Sequence, residues 1–137
     1  MVSRFGLWHR FAAVMIAAGG IGASAASAQD GFPFGMEITL DAKPMPGSKR
    51  VPTLEIGESG EVKLDLWCKG GKGQFSVAGN TVIFAAGPLE DRSCPADKAQ
   101  ADDNLVAALA AAGTWTRQGD AVSFVGPSTL RFHLNTN

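Results

Sequence analysis

Hydrophobic and polar residues alternate with a period of two along most of the chain: Met36, Ile38 and Leu40; Leu54 and Ile56; Val62, Leu64 and Leu66; Phe75 and Val77; Val82 and Phe84. Each run reads as a strand with one face buried and one face wet. Glu58-Ser59-Gly60, the glycine-rich Lys69 to Gly73, and Ala78-Gly79-Asn80 separate the runs. Gly and Asn tolerate the positive φ of tight hairpins, so the connections are expected to be short and antiparallel, with Lys69 to Gly73 as a flexible loop. The period changes after Cys94. Pro95 suits a helix start, and Leu105, Val106, Leu109 and Ala112 recur at helical spacing up to Gly113, which suits a C-terminal cap. One helix is expected over Ala96–Ala112, with Asp97, Asp102 and Asp103 as solvated partners of its dipole. Alternation then resumes at Trp115, at Val122 and Phe124, and at Leu130, Phe132 and Leu134, across the turns Gln118-Gly119-Asp120 and Gly126-Pro127.

This order places strands, one helix and three further strands in sequence, with no sign of a parallel βαβ unit. The fold expected is α+β and mainly β: a strongly twisted antiparallel sheet or partly closed barrel of about eight strands, plugged by the helix.

The first 28 residues follow another logic. Arg4 and Arg10 precede an apolar run from Phe11 to Ile21, and small residues end in Ala26-Ser27-Ala28. That is the pattern of a secretory signal peptide cleaved before Gln29, and its apolar run of about 11 residues is too short to span a bilayer as a helix. Three regions result: a cleaved signal over 1–28, an N-terminal segment with the first strand over 29–50, and the main domain over 51–137. A chain starting at Gln29 keeps ten Lys and Arg against 13 Asp and Glu, a net charge of −3. Mild acidity favours solubility and leaves no electrostatic footprint for nucleic acid. After cleavage no integral membrane segment is expected.

Export changes the meaning of the cysteines. Cys68 and Cys94 are the only two in the chain, and thiols in an oxidising compartment tend to pair. A bridge closing a loop of about 27 residues is worth about 3.5 kcal/mol in the chain-entropy model. The alternatives are a metal pair or a catalytic thiol, for which the spacing gives no support.

The segment Pro52 to Leu134 resembles the META domain (HslJ-like) family of bacterial envelope proteins. The resemblance rests on Pro52-Thr53-Leu54-Glu55-Ile56, Leu66-Trp67-Cys68, Gly73-Gln74-Phe75-Ser76-Val77, Val82-Ile83-Phe84 and Cys94 before the helix. Leu109, Trp115, Gly119-Asp120-Ala121-Val122 and Leu130-Arg131-Phe132 complete it. It implies a compact, mainly β domain in the cell envelope, linked with stress or drug tolerance, and brings no catalytic residue. The chain departs from the family's usual Gly-Cys-Asn turn, having Trp67-Cys68-Lys69.

Candidate chemistry is sparse. His133 is the only histidine after the signal segment, and alternation places it outward, with no Gly-x-Ser-x-Gly elbow to serve it. Lys69-Gly70-Gly71-Lys72-Gly73 could offer N–H groups and ammonium charge to an anion, yet lacks the ending of a phosphate loop. No catalytic, metal or cofactor residue is assigned. Trp67 remains: alternation turns it outward beside Lys69, where either Phe32-Pro33-Phe34 covers it or a partner does. Trp67, Lys69 and Lys72 form the candidate contact surface. The function expected is a secreted, non-enzymatic envelope domain that binds another envelope protein or gives structural support, the alternative being a periplasmic inhibitor of a hydrolase.

Overall fold

The alternating segments pair into a closed barrel in a computed structural model that describes residues 31–135. The segment read as a signal peptide lies outside the described residues. Eight strands follow in chain order: β1 (Glu37–Leu40), β2 (Thr53–Ile56), β3 (Glu61–Asp65), β4 (Gly70–Ala78), β5 (Thr81–Leu89), β6 (Thr114–Gln118), β7 (Ala121–Val125) and β8 (Leu130–Leu134), with α1 (Ala96–Ala111) between β5 and β6. Neighbours in sequence are neighbours in space, and β1 pairs with β8 to close the ring.

Antiparallel pairing puts Leu54 opposite Leu64 and Phe75 opposite Phe84, so the apolar side of each alternating run faces the same interior. Ile38, Leu54, Leu64, Leu66, Phe124 and Phe132 are fully buried there, and α1 adds Leu105 and Leu109. The outward set holds Glu55, Glu61, Lys63 and His133, as alternation requires. Gly79 and Gly119 turn the β4–β5 and β6–β7 hairpins at φ 57° and 59°, a conformation that costs other L-residues more.

The barrel closes unevenly. β5 and β6 share one paired position, Thr81 with Thr114, and α1 packs against β5 beside this seam. At the end of α1, Gly126 lies so near the backbone of Ala111 and Ala112 that a Cβ would sit 2.9 Å from the Ala111 carbonyl oxygen.

Four expectations are corrected. Lys69 to Gly73 is not a flexible loop: β4 begins at Gly70 and carries Gly71 and Gly73 within the sheet, with a register shift between them. The reason is steric, since a Cβ on Gly73 would meet the Phe84 ring at 2.6 Å. Gly113 is not a left-handed cap. The helix ends at Ala112 in extended backbone, and Gly113 already bonds to the sheet, its N–H to Val125 and its carbonyl to the Val82 N–H. Phe32-Pro33-Phe34 does not cover Trp67; the Phe32 ring packs instead on Phe75, Trp115 and Phe124, where three aromatic rings meet it edge to face. Asp102 is not a solvated dipole partner; it is fully buried.

Candidate functional site

Strand β3 ends at Asp65, and the chain reverses over Leu66–Lys69, with the Leu66 N–H donating to the Lys69 carbonyl at 2.9 Å. Such a turn leaves the N–H groups of its central residues pointing one way, where sheet pairing cannot satisfy them. Here Asp102 satisfies them from α1. Its Oδ1 accepts from the Trp67 N–H at 2.7 Å, and its Oδ2 accepts from those of Cys68 and Lys69 at 3.2 and 2.8 Å. Three converging N–H groups satisfy both oxygens of a carboxyl group that lies away from water.

The rest of the turn is tied as firmly. Cys68 is bonded to Cys94, two residues before α1, with the Cα atoms 6.1 Å apart. The Arg92 guanidinium donates Nη1 to the Cys68 carbonyl at 2.9 Å and Nη2 to Glu90 at 2.7 Å. The Glu90 N–H donates to the Gly70 carbonyl at 2.8 Å, which holds the end of β5 against the start of β4. Hairpin tip, helix and the segment between them thus form one bonded unit.

On this frame the expected contact residues separate. Trp67 and Lys69 sit together at the turn, each half-buried. Lys72 does not join them: it lies on the outer face of β4, paired opposite Lys63. An apolar depression of about 310 Å³ there is bounded by Lys63, Lys72, Pro88 and Leu89. A neighbouring groove of about 350 Å³ is charged, with Glu55, Lys63, Asp65, Glu90 and Arg92 on its walls.

The anion reading of the glycine-rich stretch loses its donors, because the N–H of Lys69 is spent on Asp102 and the Gly70–Gly73 backbone lies within the sheet. His133 is exposed and contacts Asp41 through Nδ1 on the barrel's outer surface. Among the described residues, no group of three His, Cys, Asp or Glu is placed to hold a metal ion. No helix there is long and apolar enough to cross a membrane.

Asp102 is the residue that sequence reasoning missed. A signal existed: Asp102, Leu105 and Leu109 lie three and four apart, on one stripe of the helix, so the carboxylate shares the apolar face.

The META domain family model matches residues 36–134, from the start of β1 to the end of β8. The chain belongs to the META domain family. Its fold resembles that in the "NMR structure of the protein from Burkholderia xenovorans", with a TM-score of 0.62 and 18% identity over 85% of this chain and 97% of that one. At that identity the likeness speaks for the fold of the META domain alone. No curated protein matches the chain. The matched span takes in both cysteines, Asp102 and the Trp67 turn, so the bonded unit at the barrel's end belongs to the META domain itself.

Proposed function

We propose that this META domain is exported to the cell envelope and acts there as a non-catalytic binding module, engaging another envelope protein through the turn at Trp67 and Lys69. The observation that carries the reading is the threefold fixing of the turn's backbone by Asp102, the disulfide and Arg92. A tip held in one conformation loses little entropy on binding, and a half-covered Trp beside a cation is a favoured anchor at protein interfaces. The barrel interior is filled by aliphatic and aromatic side chains, so a partner protein meets the domain at its outer surface. Export is supported by the leader pattern and the disulfide. The family's association with stress or drug tolerance supplies the conditions under which a partner is to be sought.

The test is co-purification from envelope extract with wild type, Trp67→Ala and, as a control on the far surface, Ile83→Ala. Expected is a partner retained by wild type and Ile83→Ala and lost by Trp67→Ala, all three being equally folded. Equal capture by all three removes the turn from the interface. The same rigid tip suits a second reading, inhibition of an envelope hydrolase. That reading requires the captured protein to be a hydrolase whose activity falls in proportion to added META domain.

A further inference from the structure

The Asp102-bound turn lies at one end of the barrel; at the other end the β2–β3, β4–β5 and β6–β7 turns gather. Residues 31–36 lie across this second mouth as a strap. The Phe32 ring enters it, with centroids 5.4 Å from Phe75, 5.2 Å from Trp115 and 6.3 Å from Phe124, each in an edge-to-face arrangement. Phe34 covers Phe32 from outside at 4.8 Å, and Pro33 between them is buried. The Trp115 indole N–H is already donated to the Gly79 carbonyl at 2.8 Å, so the wall that meets Phe32 is one of aromatic carbon.

The strap is tied to the barrel by polar bonds at its two ends. Arg117 donates to the Gly31 carbonyl at 3.0 Å, and the Ile56 N–H donates to the Met36 carbonyl at 2.9 Å. Between these ends lie the ring contacts, which are not directional in the way hydrogen bonds are and which another aromatic ring would supply equally well. Gly31 and Gly35 bracket the inserted residues, Gly35 at a φ of 72°, so hinge points stand on either side of Phe32. The strap's outer side is apolar, with Phe34 36% and Met36 42% exposed.

We propose that the mouth formed by Phe75, Trp115 and Phe124 is a binding site for a small neutral aromatic molecule, with Phe32 as its built-in occupant and the strap as its lid. Phe32 defines the size of ring the site takes, and three aromatic walls favour an apolar ring over a charged one. Because Phe32 is tethered, it competes at high effective concentration, and a free ligand enters only molecules whose strap is open. Binding therefore releases the strap and lifts Phe32, Pro33 and Phe34 off the mouth together.

Toluene and indole serve as probes on the purified, oxidised protein, with affinity read from the NMR signals of the Trp115 indole. Strap release is read from the Phe32 ring signals, which lose the ring-current shifts of Phe75, Trp115 and Phe124 when the ring leaves the mouth. Phe32→Ala is expected to bind toluene at least about tenfold more tightly than wild type, since it removes the competing ring. Saturating toluene is expected to move the Phe32 ring signals of wild type to the positions of a solvent-exposed phenylalanine. Phe32→Leu, which keeps an apolar filler, should fall between the two, and it carries the comparison should Phe32→Ala fail to fold. Toluene that enters the variants but never frees the wild-type strap would mean an engineered cavity only, and would overturn the proposal. Equal affinity in wild type and variants would do the same. So would strap release that comes with a doubling of mass, since the strap would then be exchanged between copies.

Discussion

Asp102 is the side chain on which most of the turn depends, and the one whose removal should be felt furthest away. Replacing it by Ala leaves three N–H groups without their acceptor at the junction of turn and helix. Such a loss costs about 1–3 kcal/mol for each donor that water cannot reach, and Trp67, Cys68 and Lys69 are all partly covered. Asp102→Ala is expected to destabilise the domain by about 3 kcal/mol or more, and Asp102→Asn by roughly half as much, because one amide oxygen remains to accept. Urea unfolding at unchanged m-value checks both, and a cost for Asp102→Ala below that of Asp102→Asn would contradict this account. Gly73 offers a second test at the same scale. A Cβ there would sit 2.6 Å from the Phe84 ring and 2.9 Å from the Ala85 carbonyl, so Gly73→Ala should cost about 1–3 kcal/mol through overpacking. A neutral or stabilising result in thermal unfolding would show that Phe84 can move aside. Both residues mark the limit of sequence reading: Gly73 was legible as a glycine but not as a strand residue. A period-two pattern loses its voice where inward positions carry no side chain, as at Gly71 and Gly73.

Among the elements, α1 and the β3–β4 hairpin are joined twice, by a covalent bond and by a carboxylate, and the two ties are close enough to couple. Replacing both cysteines by Ala removes the constraint on the unfolded chain, worth about 2–4 kcal/mol. Without it the turn is freer to fray, and Asp102 then holds less. Combining Asp102→Ala with the cysteine pair is therefore expected to cost less than the sum of the separate changes, by about 0.5–1 kcal/mol or more. Additivity within about 0.3 kcal/mol would show that the ties act independently. At this scale the sequence was most informative. Helix start and end came within one residue of Ala96–Ala111, because Pro95 and the apolar spacing are local signals. The order of strands was also legible, since the β2–β3, β4–β5 and β6–β7 turns carry Gly60, Gly79 and Gly119, whereas the β3–β4 turn, Leu66–Lys69, has no such marker. The end of the barrel on which the Phe32 segment packs was not legible, because a long-range aromatic contact leaves no trace in local periodicity.

For the molecule as a whole, the leader pattern and the disulfide lead to one expectation about its mature form. Protein recovered from the envelope should begin at Gln29 and, unfolded without reductant, should titrate no free thiol. Intact mass and thiol titration read both at once, and a retained Met1 or two free thiols would overturn the corresponding half. Closure of the sheet was only partly readable beforehand. Alternation shows that strands have an inside, but the pairing of the first strand with the last depends on shear and twist, which no short window of sequence contains.

That pairing carries a consequence for how the chain must be made. Strands β2 to β8 each pair with the strand before them, β6 across the length of α1, whereas β1 also waits for β8, with Ile38 opposite Leu134. A chain emerging amino-end first therefore exposes the free edge of β1 from early in its synthesis or passage through a pore until the last strand arrives. A stalled or clipped product ending before Leu130 would keep two unpaired edges, at β1 and β7, of the kind that adhere to other sheets. Arrival of β8 is thus the step that covers both open edges of the sheet.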